Sequence, residues 1–563
     1  MAPVKLLLVV LWVNPMIRLV LAVCVAALLG CGSSSPGRTV ERHPGDPTLP
    51  LAQVCDLAAG GSSGPVQAPV LRRTLPGSWD ENWLASPAVY DLDGDGQQEI
   101  VAPRHSVLYV WRADGTLLWK TAFAYGAADT PEHGDVRMWP SPVVGDLDGD
   151  GQVEIAVAGG LSNSGHNLAL YDHRGELEPG WPRRFGDSEV RAIAGADVDG
   201  DGVVEILVNK TFGGPVTAVY EPDGSLHPNW PQVSSTCDPP APAPPCEDYG
   251  GFNQNIGAGD LDGDGVLDVV STYDMIGFGL FRGDGSPFPA APGFSGRVVT
   301  SIPAYHDLAL SQQGWGDGDR SEFTDSPPVV ADVNGDGRME VVLAGDHETT
   351  RSTENRGVTV WVLNPDLTRP DGWLAPRDTG LPLQYGDRGP NIVGTMPSPS
   401  VANLDGNPGL EILVPAYDGL LYAFRPDGSV MWDYEFAKPG ESFTGASEAL
   451  VADLNGDGAP EVVFATWVSG QPRQPDRPAH LVILDGNGNE LHQVELAGRG
   501  SMAPPTIADV DGDGRLEVVV SLKDSLGGGL GGVQVWDVPG SSTNCILWGT
   551  GRGGWLRQGY VPN

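Results

Sequence analysis

The stretch Asp91-Leu92-Asp93-Gly94-Asp95-Gly96-Gln97-Gln98-Glu99 sets carboxylates at positions 1, 3, 5 and 9 of a short loop, with glycines at 4 and 6. On a tightly curled backbone, alternate acidic side chains turn their oxygens inward, and glycine supplies the positive φ that the curl needs. Ca2+ takes about six to eight hard oxygen ligands, so residue type and spacing together predict a calcium loop. The same pattern starts again at Asp146, Asp197, Asp260, Asp332, Asn403, Asp453 and Asp509, at intervals of 50 to 72 residues.

Taken through positions 1, 3, 5, 7 and 9, the expected ligand sets begin with Asp91, Asp93, Asp95, Gln97 and Glu99. The second and third are Asp146, Asp148, Asp150, Gln152, Glu154 and Asp197, Asp199, Asp201, Val203, Glu205. Next come Asp260, Asp262, Asp264, Val266, Asp268 and then Asp332, Asn334, Asp336, Arg338, Glu340. The sixth is the shortest, with Asn403, Asp405, Asn407 and Glu411. Asp453, Asn455, Asp457, Ala459, Glu461 and Asp509, Asp511, Asp513, Arg515, Glu517 complete the series. Five loops carry four carboxylates, two carry three and the sixth carries two, which ranks the Asn403 loop weakest. An EF-hand needs a bidentate Glu at its twelfth position and a helix on either side. Here that position holds Ala102 or Val157, and the flanks, such as Ser86-Pro87-Ala88-Val89-Tyr90, read as strands.

Each unit follows one plan. A short apolar strand runs into the loop, and a second follows it, as in Glu154-Ile155-Ala156-Val157. A third is β-branched and aromatic, as in Leu108-Tyr109-Val110-Trp111, and ends at an Asp-Gly turn such as Asp114-Gly115 or Asp427-Gly428. A fourth carries Trp119, Trp181, Trp230 or Trp432, expected to pack between units. Four short strands joined by tight turns make one propeller blade, and a repeat of this period signals a propeller or solenoid. These motifs resemble the FG-GAP (VCBS-type) repeat family, the calcium-binding propeller repeats of integrin α-subunit heads and bacterial surface proteins. The resemblance covers roughly residues 75–550. It implies an all-β propeller of eight four-stranded blades, or seven with one stray copy, each with its metal loop between first and second strands. The third and fourth strands also look like quinoprotein blades, but no adjacent-cysteine pair is present, so a quinone is not expected.

The chain has 563 residues, including 78 Gly and 50 Pro, and a formal charge of −40. Much of that acidity sits in the loops, and nothing in it offers the basic footprint that nucleic acid requires. Residues 19–29 form an apolar run behind Arg18, too short to span a bilayer and suited to an export signal. Leu28-Leu29-Gly30-Cys31 resembles the bacterial lipoprotein box, which implies lipidation of Cys31 at the start of the mature chain. The expected organisation is a signal at 1–30, with Met16 a candidate start, a Ser/Gly/Pro-rich tether at 31–70 and one propeller at 71–563. By analogy with known lipoproteins, Gly32 after the lipidated cysteine favours the outer membrane, and a monomer in the cell envelope is expected. In an oxidising compartment Cys237 is expected to pair with Cys246 and Cys55 with Cys545, the latter locking the ring, with free thiols the alternative.

In an up-and-down blade the acidic loops all lie on one face. The longer insertions, at 120–140, 159–167, 231–257, 286–327, 344–357, 374–397 and 466–480, lie on the other. A protein or polysaccharide partner is therefore expected there, near Trp139, Tyr249, Tyr305, His306, Trp315 and Trp467. Arg282-Gly283-Asp284 occupies an ordinary Asp-Gly turn and is read as structure. The ten histidines form neither HExxH nor a triad motif, so an interaction module is expected, with a lyase-like polysaccharide enzyme the alternative.

Overall fold

In a computed structural model the chain forms an all-β ring of eight antiparallel blades. The structure describes residues 54–562 apart from 78–80, 233–249, 274–276, 301, 315, 350–355, 384–397, 440–443, 472–473, 526–531 and 544. The expected signal, Cys31, Cys237, Cys246, Tyr249 and Trp315 lie outside the described residues. Among the described residues no helix is long and apolar enough to cross a membrane.

The first blade shows the plan: Ala88–Tyr90, Glu99–Arg104, Val107–Arg112 and Leu117–Ala122 pair in sequence order from the axis outward. The second strand is buried along its whole length in seven blades, and over Glu340 to Gly345 in blade five, because neighbouring blades cover both of its faces. Blades six and seven repeat all four strands. Blade five does so with a two-residue outer strand, Arg377–Asp378. Blades two, three and four depart from the expected four. Their outer strand is reduced to isolated bridges such as Tyr171↔Leu177, Tyr220↔Leu226 and Phe281↔Pro287. Turns before Pro182 and Pro231 occupy these outer edges, and proline cannot donate to a ladder.

The outer-strand tryptophans link blade to blade. The indole N–H of Trp119 donates to His173 O (2.9 Å), Trp181 to Pro222 O (2.6 Å) and Trp230 to Gly283 O (2.7 Å). Trp373 and Trp432 do the same to Pro426 O (2.8 Å) and Gly486 O (3.0 Å). Each acceptor lies in the next blade's Asp-Gly turn region, so Arg282-Gly283-Asp284 is an interblade seat.

The ring closes in blade eight, whose outer strand is Val70–Leu75, paired antiparallel with Val533–Asp537. Part of the stretch read as a tether is thus bonded to the propeller: Ala58 N–H donates to Gly456 O and Ser63 N–H to Asn455 O. Cys55 and Cys545 form the expected disulfide.

The C-terminal segment runs along the axis. Cys545–Trp548 pairs with blade seven's inner strand Leu450–Asp453, and Tyr560–Val561 pairs with blade five's Val329–Ala331. Between them, tail carbonyls accept inner-strand N–H groups from blade after blade: Gly549 O from Ile507, Trp555 O from Val144, Leu556 O from Gly195, Gln558 O from Ala258. Close approach needs a bare backbone; a Cβ on Gly257 would stand 2.5 Å from Gln558 O. Arg557 is fully buried and donates to Pro142 O (2.9 Å), Gly551 O (2.9 Å) and Pro87 O (3.2 Å).

Candidate metal loops and the opposite face

Every position-9 acid of the eight loops is the first residue of a second strand, from Glu99 to Glu517. The strand fixes that carboxylate, which reaches back to accept the position-2 N–H: Glu99 from Leu92 (3.0 Å), Glu205 from Val198 (2.8 Å), Asp268 from Leu261 (2.9 Å). The position-1 acid shapes the curl. Asp91 Oδ1 accepts from Gly94 and Asp95, and Oδ2 from Gly96 (3.0 Å), with φ of 74° at Gly94 and 87° at Gly96. Asp93 and Asp95 each cap the residue two places on, leaving an oxygen for a ligand.

One oxygen from each of Asp91, Asp93 and Glu99 lies within 4.8 Å of the others, as in Asp146/Asp148/Glu154 and Asp197/Asp199/Glu205. A coordination sphere with metal–oxygen bonds of about 2.4 Å is about 4.8 Å across. Burial, reinforced by neighbouring loop acids, pushes Glu99, Glu340 and Glu411 up to about 7. Glu154, Glu205, Asp268, Glu461 and Glu517 rise to about 8 for the same reasons. Glu205 Oε1 is buried without a hydrogen-bond partner. Residues so arranged fit a divalent cation, which would supply the missing partner and favour the charged carboxylates.

The sixth loop differs in kind. The Asn403 amide donates to Asn407 O (2.6 Å) and Gly409 O (3.2 Å), so a side-chain N–H already occupies the main-chain oxygens of the curl. Asn334 and Asn455 instead turn their amides to the carboxylates Glu340 (3.0 Å) and Asp457 (3.1 Å).

On the face where inner strands begin and second strands end, opposite the loops, aromatic and cationic groups alternate. Arg191 lies over Phe252 (5.3 Å) and Trp139 (4.0 Å); Arg137 lies over Trp139 (4.6 Å) and Trp83 (5.7 Å). Phe212, 45% exposed, extends the file edge-to-face from Phe252 at 5.3 Å. Beyond Trp83 stands Lys523, whose ammonium burial pushes down to about 7, aided by Arg499 and Arg137 and opposed by Glu81. Trp139 is thus placed as expected, whereas Tyr305 and Trp467 are buried and serve local packing. Sequence reading missed Trp83, Arg137 and Arg191. Their common signal is position: Trp83 and Arg137 lie a few residues ahead of the apolar strand that enters a loop, and Arg191 at the start of one.

A family model of the FG-GAP-like repeat matches residues 91–157, 146–208 and 453–520. Among curated proteins, rhamnogalacturonan endolyase YesW of Bacillus subtilis (strain 168) is 24% identical over 283 residues, 45% of this chain and 43% of that protein. The chain therefore spans less than half the length of that relative. Among solved structures, the exotype rhamnogalacturonan lyase YesX aligns at 18% identity and TM-score 0.47, covering 91% of this chain and 80% of that one. The V. cholerae biofilm matrix protein Bap1 aligns at 14% identity and TM-score 0.38, covering 85% and 93%. With eight acidic loops on eight blades and the repeat model matching at three places, the chain is a β-propeller that carries FG-GAP-like repeats.

Proposed function

We propose that this protein is a calcium-stabilised, lipid-anchored propeller of the bacterial envelope that binds an acidic polysaccharide across the face opposite its loops. The observation that carries this reading is the file Phe252–Arg191–Trp139–Arg137–Trp83. Flat aromatic surfaces suit the apolar faces of sugar rings, and guanidinium forks suit their carboxylates. In a chain of 33 Lys and Arg against 73 Asp and Glu, an anion would dock at these gathered cations in competition with Glu189, 2.6 Å from Arg191, and Glu81, 3.6 Å from Arg137. The loops serve as scaffold: Ca2+ at the acid-rich loops neutralises each cluster and holds the turn from first to second strand. Cys31 would tether the ring to the membrane through lipid.

Binding of polygalacturonate, with neutral dextran as control, tests this by titration in Ca2+. Wild type is expected to bind the acidic polymer, and Trp139→Ala or Arg191→Ala to weaken binding about tenfold or more. Equal affinity for dextran, or affinity untouched by both substitutions, overturns the reading. Similarity to a protein named as a rhamnogalacturonan endolyase favours a second reading, polysaccharide cleavage at the same face. Unsaturated products, seen as ultraviolet absorbance during the titration, would select it.

A further inference from the structure

Blade five carries a second kind of side-chain cluster, made of imidazoles as well as carboxylates. Its second strand, Glu340–Thr349, runs past the blade to the face opposite the loops and pairs there with Asp319–Glu322, placing His347 against Ser321. His306 joins the same sheet, its N–H donating to Asp319 O (2.9 Å), and Asp378 arrives on the outer strand opposite Thr359. Main-chain ladders therefore bring residues from three segments together.

A ring nitrogen of His306, one of His347 and a carboxylate oxygen of Asp378 lie within 4.8 Å of one another. His306 Nδ1 is 3.8 Å from Asp378 Oδ2, and His347 Nδ1 is 3.5 Å from Asp378 Oδ1. These separations exceed the N–H···O range of about 2.7–3.2 Å. They lie close to the edge, about 3.4 Å, of a tetrahedron with metal–ligand bonds of about 2.0–2.1 Å. The Nε2 atoms of both histidines are buried without hydrogen-bond partners, and the rings stand 4.6 Å apart. Their surroundings hold them in place. Arg369 donates to His306 O (2.7 Å) and Tyr305 O (2.8 Å), Trp361 meets the His306 ring edge-on at 5.8 Å, and Thr359 Oγ1 donates to Asp378 (3.1 Å).

We propose that His306, His347 and Asp378 bind one divalent transition-metal ion of the Zn2+ class, with Asp319 orienting His347 from behind. Two imidazoles and one carboxylate suit a borderline-soft ion, whereas Ca2+ takes oxygen almost exclusively. Asp319 Oδ2 stands 3.6 Å from His347 Nε2, on the far side of the ring from Asp378; that is beyond hydrogen-bond range, and a small side-chain rotation would bring it in as the supporting carboxylate. The Asp378 side chain is 43% exposed, which leaves the fourth position open to water or a ligand donor. The site is separate from the acidic loops in both face and chemistry.

The test titrates Co2+ into the full chain with the loops saturated by millimolar Ca2+. One equivalent is expected to give visible d–d absorption and paramagnetically shifted imidazole N–H signals, all abolished by one equivalent of Zn2+. His306→Ala and His347→Ala are expected to weaken binding more than about 100-fold, and Asp319→Asn about tenfold. Unchanged Ca2+-dependent melting would show that these variants fold. A wild-type titration without the absorption band overturns the proposal whether or not they do. Undiminished Co2+ binding by the His306→Ala/His347→Ala double variant also overturns it.

Discussion

Glu205 concentrates the physics of the acidic loops in one side chain. One oxygen accepts the Val198 N–H while the other is buried and unbonded beside the charges of its own loop. Its folded-state value of about 8 stands above the ordinary 4.5, and all eight position-9 acids shift in that direction. The sign follows from linkage. A carboxyl group raised by folding binds more protons in the native than in the unfolded state, so stability falls as pH rises between the two values. Metal-free protein should therefore lose melting temperature from about pH 4.5 to about pH 8, and saturating Ca2+ should remove most of that slope by taking the proton's place. Parallel pH profiles with and without Ca2+ would refute the assignment. Glu205→Gln sharpens it. At pH 8 the variant should melt above wild type in chelator and below it in Ca2+, by roughly 1–3 kcal/mol of stability each way. A shift of one sign in both conditions would mean that the carboxylate is only structural.

Among the elements, the loop was the most legible, because its chemistry recurs in the chain and each copy fixes the start of a strand. The outer strands of blades two to four were less so, since a Trp-Pro turn carries the packing tryptophan without carrying a ladder. Residue counting ranked the Asn403 loop weakest; the structure adds a reason that counting lacks. An amide N–H bonded to Asn407 O and Gly409 O does the closing work that a cation would do elsewhere. Equilibrium dialysis against Ca2+ should then find ions at the other seven loops and none here. Asn403→Asp, which removes the competing N–H and adds a charge, should raise the stoichiometry by one. Full occupancy of eight loops in wild type would contradict this account. The cation–aromatic file was illegible for a different reason: Arg191, Trp139 and Trp83 meet only after three blades are set side by side, and no local pattern records that meeting.

At the scale of the molecule, a ring of small sheets must be closed and its axis filled, and both ends of this chain serve those needs. Val70–Leu75 completes blade eight across more than four hundred residues of sequence, and Cys55–Cys545 ties the two ends together. The disulfide was readable because a ring brings its termini together; the donated strand was not, since its partner leaves no mark nearby. The axial tail starts from that closure, near Ser86. It bonds there, Thr550 Oγ1 standing 3.1 Å from Ser86 Oγ, and then continues past blades two, three and four to blade five. Without the part beyond Trp548, inner-strand N–H groups at Ile507, Val144, Gly195 and Ala258 lose their acceptors together, along with the buried contacts of Arg552 and Arg557. Unmet buried donors each cost about 1–3 kcal/mol, against a total stability of about 5–15 kcal/mol, so their joint loss exceeds what the fold can absorb. Truncation after Trp548 should abolish the cooperative melt even in saturating Ca2+ and with the disulfide intact. Arg557→Ala, which leaves the tail's main chain in place, should still fold but lose about 3 kcal/mol or more, read as a lower urea midpoint. A truncated chain that melts like wild type would show that the blades alone hold the ring, with the tail lying in a channel already formed.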